Sequence, residues 1–396
     1  MEEKNKNVKN AGETDGKRAV IDSLIACLFY VAACSYLPLA IYIPMSDWLS
    51  AVVALAVCVL GITVLARMAR TFRAVLTYAV ILGLFVLFGG MLLPIGLLSS
   101  FVAASCIFTY LLLKNRTPFL WGLPLIPLTV SLLLTQSATG AALSLFTLPC
   151  SLMLAHSVKN KTGRVSAVCR ISFGICLSAV LVFACAVYSS TGELSAAVIR
   201  GVIDSGKEQL TVLLKEAASE MQNMVGYELT SLDVENVIEL AVSSLFNLLP
   251  AIVITVANIT AYVIHSLYLS VAYTSDEERK ETLPMLSFDM SLTSAIVYIV
   301  SLILALVLTS DASAIYGTAA QNLLLVLAPG LILTALAGIR MLTTRRGPSC
   351  LGTLLYFGVI FMLASLSVFA ILGVSLLGAV LIILAKLSKR KSDKEL

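Results

Sequence analysis

The order of apolar and polar positions along the chain predicts a protein made of membrane-spanning helices. Apolar stretches of about 20 residues, the length that a helix needs to cross a bilayer, alternate with short polar turns. Tight turns join several of them, so the prediction is about 12 spans within a range of 10–12. The twelve stretches are residues 20–44, 48–66, 74–92, 95–113, 118–135, 140–157, 171–188, 240–270, 291–310, 322–342, 351–367 and 371–387.

The positions of lysine and arginine predict that both termini lie in the cytoplasm. Short cytoplasmic loops concentrate these residues, and in this chain basic turns alternate with turns that carry no basic residue. All basic residues fall on one side of the predicted bilayer except Arg200, Lys207 and Lys215. The same alternation divides residues 350–386 into two short spans, because one helix of that length would far exceed the hydrocarbon core of about 30 Å.

Composition agrees with this fold class and excludes two alternatives. Hydrophobic residues make up 59% of the chain and charged residues 13%, whereas soluble domains have roughly 45–50% and 25%. A soluble fold of this size has too little interior for so much apolar surface, and a disordered chain needs low hydrophobicity. We therefore predict an all-α, polytopic integral membrane protein whose first partner is the lipid bilayer.

Residues 189–239 are the long polar segment of the chain, and the charge pattern places them outside the membrane. They contain nine acidic residues against three basic ones. Apolar residues recur at helical spacing, which predicts an amphipathic helix of about thirty residues, a turn at Gly226 and a second helix beginning near Asp233. The S-x-x-E spacing of Ser190 and Glu193 is typical of a helix start.

Three arrangements are open for the apolar side of this outer helix. It packs on the outer ends of the spans, closes as a lid over an outward-facing cavity, or lies flat on the outer leaflet. Its acidic polar face argues against the third, because interfacial helices usually present Lys and Arg to anionic lipid.

The chain thus divides into five parts along its sequence. They are a cytoplasmic basic and polar tail at 1–18, an N-terminal membrane bundle of about seven spans at 19–188, the extracytoplasmic acidic helical loop at 189–239, a C-terminal membrane region of about five spans at 240–387 and a cytoplasmic charged tail at 388–396.

No motif in the sequence supports an enzyme or a cofactor. The nine cysteines include no C-x-x-C pair and none lies in the outer segment, so neither a zinc site nor a disulfide framework is indicated. Phosphate-binding glycine loops and hydrolase motifs are also absent. We expect no catalytic residue, no metal, no cofactor and no nucleic-acid partner. The two histidines, His156 and His265, lie near basic span ends, so we expect both to reach toward the membrane surface.

Prolines and amides in the C-terminal spans are the candidate residues of a solute site or helix break. A proline in a spanning helix removes one hydrogen bond and frees a carbonyl group, which can kink the helix or line a polar cavity. Packing between helices is the simpler explanation for such residues. The candidates are Pro250, Asn258, Asn322 and Pro329. On the outer helix, the candidate docking stripe consists of Leu210, Leu214 and Met221.

Short motifs in the C-terminal half carry a family resemblance. Leu248-Leu249-Pro250-Ala251 opens one span, Leu283-Pro284 precedes the next, and Gln321-Asn322 begins an apolar run that leads to a basic turn. With these motifs residues 240–396 resemble the YybS-like family of uncharacterised bacterial multi-pass membrane proteins. The resemblance implies a location in the bacterial cytoplasmic membrane and no settled activity. The chain departs from the family at Ala337-Gly338, where members often carry Gln before the glycine.

Two functions are open from the sequence. A solute-binding or transport component is motivated by the proline-broken spans, the charge-poor core and the possible lid. Such a transporter needs a cytoplasmic ATPase, other membrane subunits or an existing gradient, because the chain has no nucleotide motif. The alternative is a non-transporting scaffold or envelope-assembly partner that docks through the outer helix.

Overall fold

The computed structural model describes residues 2–43, 47–69, 92–114, 119–225, 231–272, 290–308, 314–344, 358–359 and 368–392. Within these ranges every regular element is a helix, as the apolar pattern predicts. In chain order the helices are α1 (Glu2–Tyr42), α2 (Asp47–Ala69), α3 (Leu92–Lys114), α4 (Phe119–Gly122), α5 (Leu125–Thr135), α6 (Ala138–Ser144), α7 (Thr147–Lys159), α8 (Arg164–Thr191), α9 (Ala196–Val225), α10 (Ser231–Ala272), α11 (Leu292–Val307), α12 (Ala314–Thr344) and α13 (Val368–Ser392).

Seven described helical stretches are long and apolar enough to cross a membrane. They are Val20–Tyr42, Leu97–Lys114, Ala138–Lys159, Arg164–Thr191, Glu235–Leu269, Ile315–Ile339 and Val368–Leu387. Three further predicted spans coincide with shorter apolar helices, namely Val52–Met68, Leu120–Thr135 and Leu292–Val307. The predicted spans 74–92 and 351–367 lie outside the described residues, apart from short pieces. The total of about 12 spans and the cytoplasmic location of both termini stay predictions.

The chain forms two compact units. The first contains Met1–Gly192 and Thr260–Leu283, so it holds α1 to α8 and the last part of α10. The second contains Glu193–Ile259 and Pro284–Leu396, so it holds α9, the first part of α10 and α11 to α13.

In the first unit, α3 is the most enclosed helix because its side chains are small. It packs against α1, α2 and α7, and every residue from Phe101 to Thr109 is buried. Serine, alanine and cysteine supply much of this stretch, and small side chains let neighbouring helix backbones approach closely. Large apolar side chains lie on the outside instead: Leu133 is 76% exposed and Phe173 is 61% exposed. This distribution suits a helix bundle surrounded by lipid.

In the second unit, α11, α12 and α13 pack against one another. The tightest contact is at Gly378 of α13, where a methyl group would overlap the carbonyl oxygen of Leu331 on α12. At Gly338 of α12 a methyl group would lie 2.7 Å from the Leu381 side chain on α13. Glycine is therefore required at Gly378, where the backbone of α12 lies opposite, whereas the Leu381 side chain opposite Gly338 can move aside.

The boundary between α8 and α9 corrects one prediction from sequence. Ser190 and Thr191 end α8 rather than begin the outer helix, because both hydroxyl groups donate to the Val187 carbonyl, at 3.0 and 2.7 Å. Gly192 then adopts φ 75° and closes the helix, as glycine often does at this position. The outer helix α9 begins after Ser195, whose hydroxyl oxygen accepts a hydrogen bond from the Val198 amide at 3.2 Å.

The predicted outer helix is otherwise present. Helix α9 has 30 residues and continues through Gly206 without a break, and α10 begins at Ser231, close to the expected start near Asp233. The turn expected at Gly226 lies outside the described residues. The extracytoplasmic placement of this segment stays a prediction.

The close packing of α12 and α13 can be tested with two glycine positions of α13, one at the contact and one away from it. Replacing Gly378 by Ala should lower the free energy of unfolding by about 1–3 kcal/mol, because the added methyl group forces the two backbones apart. Replacing Gly373 by Ala should not destabilise the protein, since a methyl group there meets nothing within 4 Å. Thermal unfolding of both detergent-purified variants measures the difference. Equal melting temperatures would contradict the close packing.

Candidate functional site

Both candidate prolines lie inside long helices, and for Pro329 the structure shows how the freed backbone carbonyl is satisfied. Pro329 lies inside α12. Because proline has no backbone N–H, it leaves the carbonyl of Leu325, four residues earlier, without its helical donor. The hydroxyl group of Thr255 on α10 donates to that carbonyl oxygen at 3.1 Å. A side chain of one helix therefore replaces the hydrogen bond that the other helix has lost.

The contact in the opposite direction is different. Pro250 lies inside α10 and removes the helical donor of the carbonyl of Phe246. It is on the next residue that a carbonyl oxygen, that of Asn247, accepts a hydrogen bond from the side-chain amide of Asn322 on α12, at 3.2 Å. The Asn322 amide also donates to the Thr318 carbonyl of its own helix, at 2.9 Å. Each helix thus donates a polar side chain to a carbonyl near the proline of the other, and the Leu325 carbonyl is the one of the two that a proline has freed.

We call this arrangement the proline clasp and define it by Asn247, Thr255, Asn322 and Leu325. Its side chains carry no formal charge, and all four residues belong to the second unit. Among the candidate prolines beside it, Pro250 is exposed and Pro329 is half-buried. The clasp is a neutral polar site between two apolar helices.

One atom of the clasp retains unused hydrogen-bonding capacity. The side-chain oxygen of Asn322 is buried and has no hydrogen-bond partner among the described residues. An amide oxygen accepts up to two hydrogen bonds, and a buried acceptor without a donor costs about 1–3 kcal/mol. This oxygen can accept a hydrogen bond from an N–H or O–H group of a bound molecule.

Asn258, the remaining candidate on α10, stands apart from the clasp. It is half-buried, and its side chain makes no hydrogen bond within the part of the chain that the structure describes. The structure therefore brings together Asn322 and the regions of Pro250 and Pro329, and it does not bring Asn258 to them. Asn258 offers a natural comparison for variants of Asn322.

The candidate docking stripe lies on α9, which pairs with the start of α10. The Lys207 ammonium nitrogen lies 5.7 Å from the centre of the Phe246 ring, and Lys215 forms ion pairs with Glu239 at 3.5 Å and Glu235 at 3.9 Å. Of the stripe residues, Leu210 is half-buried and Leu214 is 39% exposed. The side chain of Met221 lies outside the described residues.

The first unit contains a second polar region, at the junction of α1, α3 and α7. The Thr147 hydroxyl oxygen lies 3.4 Å from the Tyr30 hydroxyl and 3.3 Å from the Cys34 sulfur. The Thr109 hydroxyl donates to the Ser105 carbonyl at 2.8 Å and to the Ser151 carbonyl at 3.1 Å. Hydroxyl groups here hold helices together through backbone carbonyls.

The two histidines differ in their surroundings. His156 is exposed, and its ring lies 3.0 Å from the side-chain nitrogen of Asn160. His265 is only 6% exposed, because neighbouring helices enclose its side chain. That both histidines lie near the membrane surface stays a prediction. No group of three or more His, Cys, Asp or Glu side chains that fits a metal ion occurs in the described residues.

Thr255 is the clasp residue that reasoning from sequence missed. A threonine in an apolar span is usually assumed to contribute only to helix packing, because its hydroxyl group can donate to a carbonyl of its own helix. The prolines could have indicated this residue, because every proline inside a span predicts one freed carbonyl that needs a donor on a neighbouring helix. Searching for that donor would have led to Thr255.

Comparison with known proteins gives a match to a family. A sequence profile of a family described as "Predicted membrane protein (DUF2232)" matches residues 79–378, which is most of the chain and includes the clasp. No curated protein and no solved structure matches it.

A double-mutant cycle tests the hydrogen bond of Thr255. Replacing Thr255 by Val should lower the free energy of unfolding by about 0.6–2 kcal/mol, because the Leu325 carbonyl loses its donor. In a Pro329→Ala background the same change should cost less than about 0.5 kcal/mol, since the alanine supplies a backbone N–H to that carbonyl. Thr255→Ser, which keeps the hydroxyl group, is the control. Equal costs of Thr255→Val in both backgrounds would contradict the assignment.

Proposed function

The chain belongs to the DUF2232 family of predicted membrane proteins, and from that premise we propose that it is a solute-binding or transport component of the bacterial cytoplasmic membrane. The observation that supports this proposal is the buried Asn322 side-chain oxygen, which has no partner among the described residues. It lies in the proline clasp, where two candidate membrane spans each contain a proline. In many transporters, broken spanning helices provide the polar groups that bind the substrate.

The uncharged side chains of the clasp and the free Asn322 oxygen favour one class of solute. The hydrogen bonds of Asn322 to the Asn247 and Thr318 carbonyls both use its amide nitrogen as donor, so the acceptor oxygen is the group that remains for a ligand. The four clasp side chains carry no charge, and a charged solute would be costly to hold there without a counter-charge. We therefore propose an uncharged polar solute that donates an N–H or O–H group, such as a vitamin or a nucleobase.

Prolines also supply a means of movement. Each proline removes a hydrogen bond from its helix, which makes bending at that point less costly. A hydrogen bond from the neighbouring helix stabilises the bent conformation. A solute that donates to the Asn322 oxygen would change the set of hydrogen bonds between the two helices. Binding at Asn322 would in this way be coupled to the angle between the halves of α10 and of α12.

The rest of the proposal follows the expectations from sequence. We propose about 12 spans with both termini in the cytoplasm, an extracytoplasmic acidic hairpin formed by α9 and the start of α10, and no enzyme activity. The YybS-like resemblance belongs to this proposal too. Energy for transport would come from a cytoplasmic ATPase, other membrane subunits or an existing gradient.

A thermal-shift screen tests solute binding. The purified protein is heated with vitamins, nucleobases, amino acids and lipids, and a ligand of the folded state adds about 2.7 kcal/mol of stability at a hundredfold excess over its dissociation constant. Stabilisation by a ligand should disappear in Asn322→Ala and persist in Asn258→Ala, because only Asn322 lies in the clasp. A ligand that stabilises wild type and Asn322→Ala equally would place the solute site elsewhere.

The alternative function is a scaffold or envelope-assembly partner, and one observation favours it. On α9, Val212, Leu213 and Leu214 are 50%, 61% and 39% exposed. The helix is not among the candidate spans, so crossing the membrane does not explain the exposure of these side chains. An exposed apolar group of this kind is a common docking feature.

Polar substitutions on α9 distinguish the scaffold from the transporter. Changing Leu213 and Leu214 to Ser should abolish crosslinks from α9 to a cellular partner while leaving the folded protein intact, because both side chains are exposed. Gln209→Ser, another exposed change on the same helix, is the control. If the crosslinks survive the double change, the exposed apolar group at Val212, Leu213 and Leu214 is not the contact surface.

A further inference from the structure

A charged cleft in the first unit is independent of the proline clasp, because it lies where α1, α2 and α3 meet. These three helices pack against one another. Each of them contributes one charged side chain to the lining of the cleft: Asp22 from α1, Arg67 from α2 and Lys114 from α3. One negative and two positive groups therefore line the same space.

The cleft lies at corresponding ends of the three helices, where the apolar sequence gives way to charged residues. One candidate span begins at Val20, another ends at Lys114, and the shorter apolar helix within α2 ends at Met68. Asp22 and Arg67 are within two residues of these ends. Charged side chains gathered at the ends of apolar helices belong at the level of the lipid headgroups, because charge is costly in hydrocarbon.

The lining of the cleft is divided into an apolar inner part and a charged outer part. Ala26 and Leu111 line it and are each 1% exposed, whereas Arg67 and Lys114 are exposed and Asp22 is half-buried. The apolar part keeps water away from one side of a bound group. Attraction between that group and the charged side chains is stronger there than in bulk water.

The basic side chains have donors available for a phosphate group. The Lys114 ammonium donates to the hydroxyl oxygen of Tyr110 at 2.8 Å, and Tyr110 also lines the cleft. An ammonium group has three N–H donors, so two remain for a ligand while this hydrogen bond orients the side chain. The guanidinium group of Arg67 has a planar set of donors that matches two phosphate oxygens at once.

We propose that this cleft binds a phosphoethanolamine headgroup, with its phosphate on Arg67 and Lys114 and its ammonium group on Asp22. A purely anionic headgroup would be repelled by Asp22, and a cation would be repelled by the two bases. A headgroup that carries both charges meets an opposite charge at each end. Basic sites between membrane helices are known positions for phosphate-containing headgroups.

Native mass spectrometry of the full-length protein in detergent tests this assignment, because it resolves each bound lipid. Phosphatidylethanolamine, phosphatidylcholine and phosphatidylglycerol with identical acyl chains are titrated separately, together with soluble phosphoethanolamine. Phosphatidylethanolamine should bind at least about tenfold more tightly than phosphatidylcholine, whose quaternary nitrogen has no N–H to donate to Asp22. Equal binding of these two lipids, or tighter binding of phosphatidylglycerol than of phosphatidylethanolamine, would overturn the proposal.

Variants assign the two halves of the headgroup to their partners. Asp22→Asn should abolish the preference for phosphatidylethanolamine over phosphatidylcholine, because it removes only the contact with the ammonium group. Arg67→Gln should weaken both lipids by about tenfold, since both carry the phosphate. Lys159→Gln, an exposed change at the end of another candidate span, is the control and should alter binding by less than about twofold.

Three further results would contradict the assignment. Folded Asp22→Asn protein that keeps the preference of the wild type would exclude the carboxylate as the partner of the ammonium group. Arg67→Gln protein with unchanged lipid binding would exclude the cleft, and this exposed position keeps the test decisive if Asp22→Asn does not fold. Soluble phosphoethanolamine that binds as tightly as the lipid, and is lost in the same variants, would exclude a lipid and assign a soluble ligand instead.

Discussion

The structure depends on one constraint: a helix in hydrocarbon must satisfy its backbone polar groups without water. A regular helix satisfies these groups with its own backbone hydrogen bonds. A proline inside a span removes one backbone donor and so leaves one carbonyl without a partner. In the second unit the freed Leu325 carbonyl is bound by Thr255 of the neighbouring helix. The broken region around Pro250 is contacted in turn by Asn322. Pro329 thus depends on a donor from the neighbouring helix, and this dependence brings Thr255 to the Leu325 carbonyl.

The same constraint explains why the buried surface of this protein is rich in small and polar residues. Lipid is as apolar as leucine, so apolar side chains gain little by leaving it, and helices associate through close packing and hydrogen bonds. The buried stretch of α3 from Phe101 to Thr109 combines alanine, serine, cysteine and threonine with larger apolar side chains. In the second unit, Gly378 approaches the Leu331 carbonyl closely. Polar side chains therefore act at helix contacts, as Thr255 and Asn322 do in the proline clasp.

Hydropathy alone was enough to predict an all-helical protein and the position of most apolar helices, since each needs only its own residues. Local patterns were less reliable. The S-x-x-E sequence after Ser190 resembled a helix start, but Gly192 can adopt a left-handed conformation and ends α8 instead. Pro329 and Asn322 were recognised, whereas Thr255 was missed and Asn258 was grouped with them, because pairing between helices 70 residues apart leaves no periodic signal. The burial of His265 likewise depends on neighbouring helices and not on its own span.

The central claim is that Thr255 of α10 satisfies the carbonyl that Pro329 frees in α12, while Asn322 of α12 bonds to the α10 backbone beside Pro250. It is tested most directly by an experimental density map of the protein in lipid nanodiscs that resolves side chains in these two helices. The account predicts the Thr255 hydroxyl within hydrogen-bond distance, about 3 Å, of the Leu325 carbonyl, with the Asn322 amide directed at Asn247. A Thr255 hydroxyl bound to the Ala251 carbonyl of its own helix, with the Leu325 carbonyl facing lipid, would contradict it.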